Sequence, residues 1–405
     1  MGPELPLSDV KILDLMWVMA GPMATRVLAD YGATIVRVES SKRIDTVRTI
    51  GPYHDGDPGV ENSGLYETIN VGKLGIALDL SQEAGREVVR DLVAWADVVT
   101  ESFSPKAMRN WGLDYDRLRQ IKPDLIMLST CLMGQDGPLA QFAGFGNLAA
   151  AISGFYNLTG WADRAPAGPF LAYTDTVAPR FTVATLLAAL EYRRRTGQGQ
   201  YIDQSQSESS LHFLAPALLD YTANGRVQER VGNRDPHLAP HGVYPTRGEE
   251  CWVAIAVAGE AQWQAFCEVL ERPGLGRDER FATLSDRVSS ADQLDEVVSA
   301  WTREQEAQAV ETALQARGVA AYAVPSMYAS YEDAQLAHRG HYVALDHPLH
   351  GKSYVESSRS HLSRTPARVE RAAPTIGQDT RYVLETILGY SPNRIETLTS
   401  QGVLE

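Results

Sequence analysis

The chain has 405 residues, a formal net charge of −14 and three scattered cysteines. An acidic chain without a long basic block does not bind polyanions over a broad face, which excludes nucleic acid as a partner. An odd number of distant cysteines excludes a disulfide framework or a CxxC metal knuckle, so a reducing compartment is expected and no metal site is predicted.

The length is roughly two to three times that of a typical domain, so two domains with separate cores are expected. The first residues lack the basic start and apolar run of a signal peptide, and the chain has no apolar stretch of about 20 residues. We therefore predict a cytoplasmic protein that does not bind membranes.

The first third of the chain alternates strand and helix signals. Apolar patterning predicts strands over residues 10–15, 33–39, 75–80, 96–100 and 124–129, and helices over 23–31 and 83–95. This alternation predicts an α/β fold with a mostly parallel, doubly wound sheet, whose ligands bind at the carboxyl ends of the strands. Trp17 and Ser102 follow two of these strands.

A glycine pattern at residues 144–149 formally matches the dinucleotide-binding motif GxGxxA. It follows a predicted loop rather than a strand, and no second strand ends in an acid about 20 residues later. The turn after the first strand carries only Gly21 and Pro22, so it lacks the glycines that let the backbone approach a pyrophosphate. The sequence therefore argues against NAD binding.

Asp175 stands just ahead of a helix predicted over residues 181–192, which ends in three arginines and Gly197. The positive end of the helix dipole and its free N–H groups would keep a carboxylate ionised and fixed in direction. Such a carboxylate suits an acyl-accepting nucleophile. The alternative is a helix-capping aspartate, because Asp is a favoured cap.

The second half begins with a strand over residues 200–204 and a helix over 207–225. A polar loop over 228–240 then leads into a charge-rich segment with a strand pair and helices, which is consistent with a smaller α+β domain. The chain ends in short elements and a helix over 379–388.

Seven short segments follow one another along the chain: LDLMWVMAGP (13–22), DYGATIVRVE (30–39), NVGK (70–73), ESFSP (101–105), GQDGP (134–138), RTGQGQ (195–200) and GQDT (377–380). In this order they resemble the class III CoA-transferases, the group that contains formyl-CoA transferase, carnitine CoA-transferase and α-methylacyl-CoA racemase. The opening segment is also similar to the benzylsuccinate CoA-transferase branch.

The resemblance implies a large Rossmann-like domain over residues 1–225, completed by 326–405, with a small domain over 226–325 and an interlocked dimer. It aligns Asp175 with the nucleophilic aspartate of the family. CoA would then pass from a donor such as succinyl-CoA to a free carboxylic acid through aspartyl anhydride and aspartyl-CoA thioester intermediates. The partners are acyl-CoA and the acid, and the subunits are two identical chains or a pair of paralogues.

The resemblance places coenzyme A, bound as acyl-CoA, along the strand ends of the large domain. Phosphate contacts would come from cationic residues and apolar contacts from aromatic ones. The predicted CoA-binding residues are Trp17, Val18, Met19, Lys73, Ser102, Phe103 and Arg109.

Phe145 and Tyr173 are predicted to line the acyl pocket. An aromatic wall favours a larger acceptor, either aromatic or dicarboxylic, such as benzylsuccinate. In the racemase branch a histidine takes the position of Phe145, and phenylalanine cannot move a proton, which disfavours racemisation. A racemase or epimerase, and a non-catalytic CoA-binding subunit of a hetero-oligomer, remain the alternatives.

Overall fold

The computed structural model describes residues 4–405. The strands are β1 (Lys11–Asp14), β2 (Thr34–Glu39), β3 (Leu74–Ala77), β4 (Val98–Glu101), β5 (Ile126–Cys131), β6 (Tyr201–Ser205), β7 (His241–Pro245), β8 (Trp252–Ala256), β9 (Ala320–Ala323), β10 (Tyr342–His347) and β11 (Gly351–Glu356).

The helices outside the short 3₁₀ turns are α1 (Ala20–Asp30), α2 (Gly64–Asn70), α3 (Glu83–Trp95), α4 (Pro105–Trp111), α5 (Tyr115–Ile121), α6 (Gly146–Ile152), α7 (Phe155–Leu158), α8 (Tyr173–Thr196), α9 (Gln206–Leu211), α10 (Ala215–Asn224), α11 (Glu260–Val269), α12 (Leu284–Ser289), α13 (Ala291–Thr302), α14 (Ala307–Gln315), α15 (Met327–Tyr331), α16 (Ala334–His338), α17 (Thr380–Tyr382), which continues into a π turn, and α18 (Pro392–Ser400).

Six strands form one sheet in the order β3-β2-β1-β4-β5-β6, and every neighbouring pair is parallel. This is the order of a Rossmann-type doubly wound sheet, so the predicted α/β fold with a parallel sheet is confirmed. The chain reverses its direction of winding between β1 and β4. A ligand crevice is expected just beyond the carboxyl ends of these two strands.

Helices cover both faces of the sheet because its strands are apolar on both sides. On one face α3 packs against the strands through Val88, Val89, Leu92 and Val93, which are buried in the core there. On the other face α1 and α8 bury leucines against β1, β4 and β5. Burial on both faces is the usual state of a parallel sheet and explains the near-continuous apolar runs of its strands.

The chain forms two compact units. The larger comprises the residues up to Tyr156 together with Gly168–Gln228 and Gln335–Glu405, and it holds the parallel sheet and the β10–β11 hairpin. The smaller comprises Asn157–Ala167 and Glu229–Ala334. It contains the antiparallel sheet β7-β8-β9, and its core includes Trp263, Phe266 and Phe281.

The prediction of one continuous helix over residues 207–225 is wrong. The segment forms α9 and α10, separated by a short 3₁₀ turn at His212–Leu214. Pro216 lies in the first turn of α10, where its missing N–H costs nothing, whereas a continuous helix would lose a hydrogen bond there.

Over residues 4–405, none of the helices combines the length and apolar character that crossing a bilayer demands.

Candidate active site

Asp175 is the third residue of α8, which begins at Tyr173 rather than at residue 181. The predicted later start is wrong because Pro179, which resembles a helix boundary in the sequence, lies inside the helix. Pro179 has no N–H to donate to the carbonyl of Asp175 four residues earlier. Asp175 lies in the first turn of the helix, and the residue is only 5% exposed.

Two donors hold the carboxylate of Asp175. The Nε2 of Gln206 donates a hydrogen bond to its Oδ1, and the backbone N–H of Gly146 donates a second one to the same carboxylate. Gly146 is the first residue of α6, and Gln206 is the first residue of α9, directly after β6. Three separate elements therefore meet at this one acid.

Burial raises the pKa of Asp175 to about 6, and the hydrogen bonds from Gln206 and Gly146 oppose this rise. Loss of water on burial therefore outweighs the hydrogen bonds that lower the pKa of this carboxyl. At neutral pH the group is still mostly ionised. A carboxylate with a raised pKa is also a stronger nucleophile.

The two donors are joined to each other through Thr174, which is fully buried. The second N–H of the Gln206 amide is donated to Thr174 Oγ1 at 2.9 Å, and this hydroxyl donates to the carbonyl of Gly146 at 2.8 Å. The Gln206 amide is therefore fixed at both of its N–H groups. The network also determines its orientation, because the reversed amide would set an oxygen against the carboxylate.

Asp175 lies in a cleft of about 370 Å³ at the carboxyl ends of the strands, beside the point where the winding reverses. The sides of the cleft include most of the predicted binding residues. Those that line it are Trp17, Val18, Met19, Ser102, Phe103 and Phe145.

The wall formed after β1 is tied to the wall formed after β4. The backbone N–H of Trp17 donates to Ser102 Oγ at 2.8 Å, and the Trp17 ring meets the Phe103 ring edge-on at 5.6 Å. Val18 has a φ of 63°, which is strained for a β-branched residue. Its N–H donates to both carboxylate oxygens of Asp45, at 3.0 and 3.2 Å, which holds this conformation in place.

The phosphate-binding prediction for Lys73 is wrong in this structure, because its side chain is fully buried. Its ammonium group donates to Asp14 at 2.9 Å, to the carbonyl of Pro22 at 3.0 Å and to Asn70 at 2.9 Å. These three bonds use every N–H of the group. Lys73 is a structural cation that joins β1, the first turn of α1 and the end of α2.

Arg109 and Tyr173 lie outside the cleft that contains Asp175. Arg109 is exposed on α4 and lines a separate cavity of about 380 Å³ with Glu101 and Tyr201. Tyr173 packs edge-on against Phe155, with the ring centres 5.4 Å apart. The acyl-pocket role of Tyr173 stays a prediction.

Arg43 is a cation that the sequence reasoning did not identify. Its guanidinium lies 5.5 Å from the centre of the Trp17 ring, at the edge of the cleft. It also lines a neighbouring cavity of about 260 Å³ that shares Trp17 and Phe103 with the cleft and has apolar walls from Leu15 and Leu78. The available signal was its position shortly after β2, at the same sheet edge.

Gly146 and Gln206 were also missed as site residues. The glycine belongs to the GxGxxA pattern at residues 144–149, which lacks the strand context of a dinucleotide motif. The glutamine lies two residues after the strand predicted over residues 200–204, and residues close after a strand are candidates for a site. Neither pattern reveals that both residues contact Asp175.

Comparison with known proteins identifies the family of the chain. A sequence profile described as CoA-transferase family III matches residues 7–380. The chain is 30% identical to a succinyl-CoA–D-citramalate CoA-transferase of Chloroflexus aurantiacus over 99% of both chains. It is 33% identical to a succinate–glutarate CoA-transferase of Agrobacterium fabrum, over 94% of this chain and 95% of the relative.

Solved structures show the same fold. A CAIB/BAIF family protein from Brucella suis superposes with a TM-score of 0.87 at 30% identity, covering 95% of this chain and all of that one. Rv3272 from M. tuberculosis, at 23% identity and a TM-score of 0.80, covers 94% of this chain and 99% of its own, and supports the fold alone. The family profile spans most of the chain, and the full-length relatives agree with it. The chain belongs to CoA-transferase family III.

Proposed function

We propose that this protein transfers CoA from succinyl-CoA to a free carboxylic acid, with Asp175 as the nucleophile. The observation that carries the proposal is the carboxylate of Asp175, buried and held by two donors in a cleft at the reversal point of the sheet. The relatives named above support succinyl-CoA as the donor, since both names contain succinyl-CoA or succinate.

An acid is the nucleophile that this reaction needs. Attack of Asp175 on the donor thioester expels the CoA thiolate and leaves a mixed anhydride, which keeps the acyl group activated. The thiolate then attacks the Asp175 carbonyl and releases the donor acid, which leaves CoA on the enzyme as a thioester. The acceptor acid reverses these steps. Water must be excluded throughout because each intermediate can be hydrolysed, and the burial of Asp175 serves this purpose.

CoA is proposed to lie along the strand ends with its thiol directed at Asp175. Trp17 and Phe103 form an apolar wall between the cleft and the neighbouring cavity. The size and the apolar walls of that neighbouring cavity suit an adenine ring. Arg43 lines both spaces and is the cation that we assign to the phosphates. Arg109, in a separate cavity, remains a second candidate for this contact.

The acceptor is proposed to be a dicarboxylic acid. The names of the two relatives contain D-citramalate and glutarate, and both of these acids are dicarboxylates. Phe142 and Phe145 add exposed apolar surface to the cleft, which also admits an aromatic dicarboxylate such as benzylsuccinate. Racemisation is disfavoured because Phe145 cannot carry a proton where the racemase branch has histidine.

The two compact units are proposed to be the large and small domains, and the chain is proposed to form an interlocked dimer. Exposed leucines on α10, Leu218 and Leu219, together with Leu211 and Phe213 just before it, provide an apolar surface for a second chain. Two relatives are named as alpha and beta subunits of a succinyl-CoA–L-malate CoA-transferase, so a paralogue is the alternative partner. Analytical ultracentrifugation of the purified chain distinguishes a monomer from a dimer.

The test is a transfer assay with the purified chain alone. Succinyl-CoA is incubated with single acids from a panel that includes glutarate, citramalate, malate and benzylsuccinate, and new CoA thioesters are identified by mass. The proposal predicts a new thioester with at least one dicarboxylate, and none with Asp175→Asn. Deuterium uptake at the α-carbon of an acyl-CoA without an acceptor acid would indicate a racemase instead. Activity that appears only after a paralogue is added would favour the non-catalytic subunit.

A further inference from the structure

Gln206 is a buried amide with one of its N–H groups on the reacting carboxylate. The residue is 7% exposed, it lines the cleft, and its Nε2 donates to Oδ1 of Asp175. An amide in this position is not required for packing alone, because a leucine side chain has a similar volume. Its contact with Asp175 therefore indicates a chemical role.

We propose that Gln206 is a catalytic residue whose Nε2–H stabilises the oxyanion that forms on Asp175 itself. This inference rests on the proposed CoA transfer through aspartyl intermediates. Because Gln206 occupies Oδ1, the other oxygen, Oδ2, is the one that attacks the donor thioester. Oδ1 then remains the carbonyl oxygen of Asp175 in the anhydride and in the CoA thioester.

The electrons balance at each step. When the CoA sulfur attacks Cγ of the anhydride, the carbonyl electron pair moves to Oδ1, which becomes the oxyanion. The pair returns as the Cγ–Oδ2 bond breaks, and the donor acid leaves with Oδ2. When the acceptor carboxylate attacks Cγ of the thioester, Oδ1 carries the charge again, and the C–S bond breaks. Gln206 therefore faces the developing charge in both steps, as an oxyanion-hole donor must.

The donor is fixed before the reaction begins. The Thr174 hydroxyl accepts the other N–H of the Gln206 amide and donates to the carbonyl of Gly146. Neither Gln206 nor Gly146 therefore needs to reorient as charge develops. The backbone N–H of Gly146 contributes a second hydrogen bond to the Asp175 carboxylate. Donors that are aligned in advance and shielded from water give the largest stabilisation of a transition state.

The proposal makes the two oxygens of Asp175 distinguishable. The acceptor acid leaves one of its own oxygens on Cγ at the end of each turnover, in the Oδ2 position. If Gln206 prevents the carboxylate group from rotating about χ2, this oxygen leaves with the donor acid in the next catalytic cycle. Free rotation would exchange the two oxygens, since the χ2 torsion of aspartate is roughly two-fold, and only about half would leave.

The experiment uses an acceptor labelled with ¹⁸O in its carboxylate. One turnover with this acid labels Asp175, which is verified by peptide mass. A single turnover of unlabelled succinyl-CoA follows, and the released succinate is analysed. The wild-type enzyme is expected to pass nearly all of the label to succinate, and Gln206→Leu about half. If wild type also releases only about half, the role of Gln206 is refuted. If Asp175 acquires no label at all, the aspartyl mechanism itself fails.

Kinetics provide a second readout. Gln206→Leu is expected to lower kcat by about 10²- to 10³-fold, the effect of losing one oxyanion donor, with little change in KM for succinyl-CoA. The matched control is Gln204→Leu, because Gln204 is a buried glutamine of β6 that contacts α8 through Thr182 and Ala178 but does not touch Asp175. An unchanged kcat in Gln206→Leu, or an equal loss in Gln204→Leu, contradicts the proposal.

Discussion

Gly146 lies so close to Asp175 that a Cβ atom built on this glycine would fall 2.6 Å from Cγ of the aspartate and 2.7 and 2.8 Å from its two carboxylate oxygens. Any side chain at position 146 must therefore displace the nucleophile. This steric requirement explains a glycine at the first residue of α6, independently of any dinucleotide motif.

Gly146→Ala is expected to abolish most of the transfer activity while the protein remains folded. Because the added methyl group displaces the carboxylate by an ångström or so, kcat should fall by about 10²-fold. Gly274→Ala is the control, because a Cβ at Gly274 meets nothing within 4 Å. Steady-state kinetics and the melting temperatures of both variants provide the measurement. Full activity in Gly146→Ala would mean that Asp175 does not react in the position described.

The rate should depend on the ionisation of Asp175. Its pKa of about 6 means that the nucleophile is lost as the pH falls through 6, with a tenfold drop per unit below that value. An acyl-pantetheine donor is the substrate of choice because it lacks the phosphates of CoA, which also titrate. An acidic limb centred near pH 4, the ordinary range of an aspartate, would contradict the raised pKa.

The same shift predicts how stability depends on pH. A carboxyl whose pKa is higher in the folded state destabilises that state when ionised, and this cost appears as the pH rises from about 4 to above 6. Asp175→Asn removes a charge cost of up to about 3 kcal/mol at pH 8. The melting temperature of Asp175→Asn minus that of wild type should therefore be highest at pH 8. This difference should decrease as the pH falls through 6. A difference independent of pH would contradict the burial argument.

Arg43→Gln should weaken the binding of acyl-CoA. Loss of one charge-assisted phosphate contact, worth about 1.5–3 kcal/mol, should raise KM by about 10- to 100-fold. The KM for an acyl-pantetheine donor should not change, because it lacks those phosphates. Arg109→Gln is the matched comparison, since this arginine lines a different cavity. If only Arg109→Gln raises the KM for acyl-CoA, the phosphate site lies there instead.

Lys73→Met is predicted to destabilise the fold rather than to weaken substrate binding. Lys73 and Asp14 are both fully buried, with Nζ and Oδ2 2.9 Å apart. Removing one partner leaves an uncompensated charge, at a cost of about 3–5 kcal/mol in the free energy of unfolding. Urea denaturation measures this loss. A raised KM for acyl-CoA with unchanged stability would restore the phosphate-binding interpretation.

The sequence predicts the parallel sheet well because local pattern and tertiary burial agree there. The helix over residues 83–95 is confirmed at both ends, since its apolar spacing is the face that packs on the sheet. The residues that follow β1 and β4 line the cleft as expected, because the carboxyl ends of parallel strands share one edge.

The remaining site features depend on contacts between distant residues. The bond between Gln206 and Asp175 spans 31 positions, and that between Lys73 and Asp14 spans 59. No local pattern distinguishes a buried lysine paired with an aspartate from an exposed lysine at a phosphate. The sequence predicts too late a start for α8, because a proline such as Pro179 usually marks a helix boundary, whereas this helix continues through it.

Direct detection of a covalent intermediate on Asp175 tests whether this residue is the nucleophile. The purified protein is incubated with succinyl-CoA without an acceptor, treated with hydroxylamine or borohydride, digested, and analysed by peptide mass. We expect a modified Asp175, as the hydroxamate or the reduced alcohol, in the peptide that contains the start of α8. We expect no modification in Asp175→Asn or in samples without succinyl-CoA, and slower modification in Gly146→Ala. Transfer activity with an unmodified Asp175, or the same modification on a different residue, would contradict the assignment of Asp175 as the nucleophile.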